Sequence, residues 1–238
     1  AGLPQILNAF LADSGHARPS AACFGVAGLI VDGRCHLTNR DWLIEESALS
    51  AQFGAPVQLI NDVAAIASGV VHLPLGGFAV LQAGMRRWAS GTIAVVAPGT
   101  GRGQGSAFWD GTRHRPFPSE GGHADFSPRS DQDIALMKFI QQREGVATWE
   151  RVLSGPGLRR IYNFLISADQ PAPASAGREP DLTPEQITAA ASSFANPPAK
   201  AISATSEMLI RFYGAEAGNL ALKILATAGV YLAGGIAV

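Results

Sequence analysis

Four stretches of the 238-residue chain carry side chains, or bare backbone, able to do chemistry. Asn61-Asp62 closes the apolar run "PVQLI" and opens a run of small residues. That is the carboxyl end of a strand meeting a helix, where open α/β sheets place their ligands. The same pair suits a helix N-cap, and the two roles are compatible. "APGTGRG" (97–103) is a turn whose Gly99, Thr100, Gly101 and Gly103 leave backbone N–H groups open to an anion such as a phosphate oxygen. It lacks the Lys-Ser/Thr of a P-loop, and its glycines precede a strand where a dinucleotide fingerprint needs a helix. By itself it reads equally as a glycine-rich hairpin turn. "PSEGGHADF" sets Glu120 and His123 three apart across Gly121 and Gly122, so backbone can approach a ligand while both side chains point at it. Such a turn is a solvated loop, a metal half-site or a reader of hydroxyl groups. Glu150, in "TWERVLSGPG", reads on its own as a first-turn glutamate favoured by the helix dipole, and Asp125, Asp131 and Asp133 as solvated acids near a helix start.

A structural zinc would need four Cys or His ligands, and Cys23, Cys35 and His114 do not supply a workable spacing, so no resident metal is expected. The two cysteines have no CxxC spacing and read as reduced structural thiols, which points to the cytoplasm. Lys plus Arg (18) nearly cancels Asp plus Glu (19), leaving no bulk charge to hold nucleic acid or an anionic membrane. The most apolar region, 64–84, is interrupted by His72, Pro74 and several glycines, and the N-terminus lacks a basic start followed by an apolar stretch, so a soluble, unexported protein is expected.

The elements that must position these residues alternate between β and α. Leu3, Ile6, Leu7, Phe10 and Leu11 recur at helical spacing, with Gly15 as a stop. "AACFGVAG" and "LIVDGRCHL" read as strands, the second folded on itself at Asp32-Gly33. A helix is expected over 42–53, a strand over 56–60, and a small-residue helix after Asp62. From "LPLGG" onward a second unit begins, so the chain divides into a small α/β lobe (1–72) and a large one (73–238). In the large lobe "GTIAVVAPGTGRGQGSAFWDG" is a hairpin; helices are expected over 131–143, 149–168 and 184–226, with a final strand in "AGVYLAGGIAV". The Pro/Ala/Ser-rich stretch 168–184 reads as a surface connection.

In their order, "LINDVAAIASG", "APGTGRGQG", "SEGGHADFSP", "WERVLSGPGLRRIYNFL" and "GVYLAGGI" closely resemble the bacterial glucokinases of the hexokinase type, within the actin-like ATPase superfamily. The resemblance spans essentially the whole chain. It implies an α/β, actin/hexokinase-like (ribonuclease H-like) two-lobed fold and transfer of the γ-phosphoryl group of ATP to the 6-hydroxyl of glucose, with Mg2+ on the nucleotide. By the same resemblance Asp62 is the general base, while Asn61, Glu120, His123 and Glu150 hold the other hydroxyls. Gly99, Thr100 and Gly101 form a phosphate-binding turn, Gly234 and Gly235 lie beside the adenosine, and Thr38-Asn39 lines the cleft. A homodimer is left open. Sugar kinases with a cysteine-rich zinc motif are related, but that cluster is absent here.

The family begins with a strand carrying an Asp-Gly-Gly-Thr motif and continues past "LAGGI", so the expected fold is incomplete at both ends, with an unpaired sheet edge in the small lobe. Arg102 stands where relatives have an apolar residue and is expected to face solvent. Two other classes compete: a non-catalytic sugar-binding or regulatory relative, which would bind sugar without nucleotide, and a DNA-binding repressor, which the neutral charge and missing helix-turn-helix disfavour.

Overall fold

The computed structural model describes residues 2–15, 19–37, 40–84, 89–99, 101–169, 182–191 and 200–237. Thr38, Asn39 and Thr100, three of the residues with an expected role, lie outside these ranges, as does the connection 170–181.

Helix α1 (Leu3–Ser14) ends at Gly15, whose φ of 62° is left-handed. Strand β1 (Ala22–Val26) runs parallel to β5 (Val57–Asn61) in the register Ala22↔Val57 to Val26↔Asn61. Beside them β2 (Ile30–Val31), β3 (Arg34–His36) and β4 (Leu43–Glu45) form an antiparallel ribbon. Its first turn is Asp32-Gly33, with φ of 50° and 71°, the paired positive angles that an Asp-Gly hairpin accommodates.

The helix expected over 42–53 is shorter than its sequence pattern. Residues 43–45 are strand, and α2 (Glu46–Phe53) starts only afterwards. Ile44 is buried between exposed Leu43 and half-buried Glu45, a period of two, and cross-strand bonding to β3 with an Arg34–Glu45 ion pair of 2.8 Å outweighs the helical reading. Val26, Cys35, Ile44, Leu49, Phe53, Val57 and Leu59 form the core here, covered by Leu3, Leu7 and Leu11 of α1.

The larger sheet is ordered β8-β7-β6-β9, from β6 (Ile93–Pro98), β7 (Arg102–Trp109), β8 (His114–Ser119) and β9 (Gly229–Leu232). Every residue of β6 is buried, as both faces of the sheet are covered. Ile93 and Val95 face α3 (Asp62–Val70); Ala94 and Val96 face the helices on the other side. Strand β8 was not expected from the sequence: "HRPFPS" has two prolines, which cannot donate to a ladder, and the strand accommodates them at the sheet edge.

The second face is covered by α4 (Asp131–Glu144), α5 (Trp149–Val152), α6 (Gly155–Asp169), α7 (Pro184–Ala191) and α8 (Lys200–Ile224). The expected helix 149–168 is broken. Ser154 receives the Gly157 amide at 3.0 Å and gives its hydroxyl to the Glu150 carbonyl at 2.6 Å, so a new helix starts at "GPG". The run 184–226 is likewise two helices, with 192–199 outside the described ranges. Phe126 makes edge-to-face contacts with both Trp149 and Phe212, at 5.1 Å between centroids.

Asp133 is not the solvated acid expected. It is 1% exposed and paired with Arg211 at 2.6 and 3.0 Å, and it accepts the Arg129 amide at 2.9 Å. Burial pushes its carboxyl up, but Arg211, the Arg129 amide and Ser130 together outweigh this and hold it below the usual carboxylate value. Both cysteines are free, with Cys35 buried and Cys23 exposed.

Candidate active site

Asn61 ends β5 and caps α3: its side-chain oxygen accepts the amides of Val63 and Ala64 at 3.0 and 3.2 Å. The capping role is therefore present, and it fixes the direction of the next residue. Asp62 is exposed, with its carboxylate accepting the Val63 amide at 2.9 Å. Helix α3 starts beside β1: a Cβ on Gly25 would stand 3.7 Å from the Asp62 Cα and 3.5 Å from the Ala65 Cβ, ordinary contact distances. Nearby, burial and then the Asp62 carboxylate push the Cys35 thiol up.

On its other side α3 rests on β7. Gly103 and Gly105 face Val63, and a Cβ at Gly103 would collide with the valine Cγ2, at Gly105 lie 3.0 Å from its Cγ1. Both glycines serve close approach of a helix to a strand.

The turn before β7 is held from several directions. The Gly99 amide donates to the Gly101 carbonyl at 2.7 Å, so this N–H is not open to an anion, contrary to expectation. The Gly99 carbonyl accepts the amide of Gly155, first residue of α6, at 2.8 Å. A Cβ on Gly101 would come within 3.2 Å of the Glu150 carboxylate, which places that acid directly over the turn. Gly234, with φ of 87°, lies against the Pro98 carbonyl so closely that no side chain fits. The Tyr213 hydroxyl is 2.9 and 3.0 Å from the carbonyls of Val96 and Ala233, joining α8 to the two backbone segments that lead into the turn and into Gly234. Gly235 is exposed beside it. The Arg102 side chain lies outside the described residues.

Glu120 and His123 flank a 3₁₀ turn, Gly121–His123, with the imidazole Nε2 3.7 Å from the Glu120 carboxylate and both side chains mostly exposed. The chain after the turn pairs with the chain before Glu150. The Phe126 amide donates to the Ala147 carbonyl at 2.9 Å, and the Trp149 amide to the Ala124 carbonyl at 3.0 Å. Thr148, between them, caps α5 by accepting the Arg151 amide at 3.4 Å. This backbone pairing brings Glu120, His123 and Glu150 together. Two contributors went unnoticed in the sequence: Ser119, whose hydroxyl accepts the Gly121 amide at 3.0 Å, and Gln104, buried beneath the same glycine. The one sign of Gln104 was a lone amide between two glycines in a strand.

The arrangement is thus a glycine turn at a strand end, an aspartate at the start of a packed helix, and an exposed acid and histidine tied to a further acid. With its mixed α/β architecture, this defines a sugar kinase of the actin-like ATPase fold. The chain belongs to the glucokinase family, whose model matches residues 1–238. It is 38% identical over 237 residues to the glucokinase of Trichormus variabilis, covering 92% of this chain and 68% of that one. With the glucokinase of Synechocystis sp. it shares 40% over 232 residues, covering 91% and 65%. The crystal structure of a glucokinase from an Antarctic psychrotroph superimposes with a TM-score of 0.80 at 29% identity, covering 99% of this chain and 70% of that one.

Proposed function

We propose that this chain carries the phosphoryl-transfer centre of a glucokinase, with Asp62 as the base. The reaction moves the γ-phosphoryl group of ATP to the 6-hydroxyl of glucose, giving glucose 6-phosphate and ADP. Asp62 accepts the hydroxyl proton as the sugar oxygen bonds to phosphorus and the bond from phosphorus to the ADP oxygen breaks. A carboxylate so placed accelerates the step by about 10² to 10⁴. Asn61, Glu120, His123 and Glu150 orient the remaining hydroxyls. A neutral sugar offers little apolar area, and its affinity comes from directed hydrogen bonds, worth roughly 1.5 to 3 kcal/mol each where the protein group is ionised. The exposure of Asp62, Glu120 and His123 supports a role toward a bound molecule over one inside the core.

The Gly99–Gly101 turn, with Thr100, borders the phosphates, and Gly234 and Gly235 the adenosine. Mg2+ would be carried by the phosphate oxygens of the nucleotide, where it would neutralise charge in the transfer. Two free thiols suit a reducing cytoplasm. Among the described residues no helix is long and apolar enough to cross a membrane.

The observation that carries this reading is the backbone pairing of 124–126 with 147–149, which joins the Glu120–His123 turn to the acid resting on Gly101. The test is formation of glucose 6-phosphate by the intact protein with ATP, Mg2+ and glucose, followed by coupled oxidation. Absence of product would overturn the reading, and calorimetry showing sugar binding without nucleotide binding would replace it with a non-catalytic one.

A further inference from the structure

We infer that Gln104 is a positioning residue for the sugar-binding turn, setting where Glu120 and His123 stand; the inference rests on the reading of that turn as sugar-binding. Gln104 is 3% exposed and sits in β7 opposite Val96 of β6 and Ser119 of β8. Its neighbours Gly103 and Gly105 face α3 and Val63, so the alternation of the strand turns Gln104 to the opposite face. There it lies under Gly121. A Cβ on Gly121 would be driven into the carboxamide oxygen, and would stand 2.8 Å from Cδ and 3.1 Å from Nε2.

The backbone of the Glu120–His123 turn therefore rests directly on the carboxamide. With the Ser119 hydroxyl on the Gly121 amide and the 124–126 pairing beyond, Gln104 gives the turn its third point of support. One strand then spaces the two halves of the site. Val63, next to Asp62, packs on Gly103 and Gly105, and Gln104 between them underlies the turn that carries Glu120 and His123, so the same three residues of β7 touch both parts of the site.

The experiment compares Gln104→Met, which keeps length and volume without polar atoms, with Gln104→Ala, Gly121→Ala and the Gln104→Ala/Gly121→Ala double variant in the intact enzyme. Glucose KM, ATP KM, kcat and melting temperature are read for each. Both Gln104 variants should raise the glucose KM by roughly tenfold while the ATP KM stays within about twofold. Gly121→Ala should raise it further, and the double variant should be no worse than Gln104→Ala, because removing the carboxamide makes room for the new methyl. An unchanged glucose KM in both Gln104 variants, additive effects in the double, or parallel rises in glucose and ATP KM with a lowered melting temperature would overturn the inference. A wild-type protein that forms no glucose 6-phosphate would instead overturn the functional reading on which it rests.

Discussion

Asp62 is held by what surrounds its backbone more than by what touches its carboxylate. Asn61 caps the helix, and Val63, the next residue, locks against the two glycines of β7. The carboxylate itself stays exposed, free to meet a hydroxyl proton. Replacing it by alanine leaves the cap, the glycines and Val63 in place, so the expected effect falls on turnover. Asp62→Ala should lower kcat by about 10² to 10⁴ and leave glucose binding within a few-fold, since the base acts mainly in the transition state. Steady-state kinetics alongside calorimetric titration with glucose decide it; lost binding with unchanged turnover at saturation would contradict the role.

Among the elements, α4 and α8 are joined by Asp133 and Arg211, a pair in which the acid is buried and the guanidinium is partly exposed, at 42%. Breaking a buried pair strands a charge, so Asp133→Asn should destabilise the fold; with Arg211 able to recover water, about 2 to 3 kcal/mol is expected in denaturant unfolding. The pH dependence has a definite sign. The carboxyl is held below its unfolded value of about 3.9, so its contribution is complete above that value and is lost as pH falls through the folded one. Stability of the native chain and the Asn variant should accordingly converge on acidification below about pH 4, and a gap that widened there would contradict the pairing. Overpacking is the corresponding risk at the α3–β7 contact, where Gly103 and Gly105 leave Val63 no spare room.

For the molecule as a whole, the feature of most consequence is the number of sequence-distant segments that meet around the start of β7. Residues 60–64, 119–126 and 147–151 lie on different elements, yet each reaches that region through backbone bonds or packed glycines. A ligand bound there orders all of them at once. Hydrogen exchange should therefore slow together in these three segments on adding glucose, and change little in α4. Protection confined to one of the three would mean that the acids do not share a ligand.

Much of this was legible in the chain alone, for reasons that are local. An Asp-Gly pair dictates its turn angles, a Gly stops α1, the apolar run of β6 ahead of a glycine-rich turn reads as a strand, and the Asn61 cap follows from its place between strand and helix. The succession of five motifs also carried the family, because motif order survives where any one motif is weak. Tertiary contacts decided the rest. Cross-strand bonding made residues 43–45 a strand inside a helical pattern, an edge position admitted the prolines of β8, and Arg211, 78 residues away, turned Asp133 from a surface acid into a buried one. Gln104 belongs to the same group: sequence showed an amide between two glycines, and only the folded strand, which sends alternate residues to opposite faces, set that amide beneath the turn that carries Glu120 and His123.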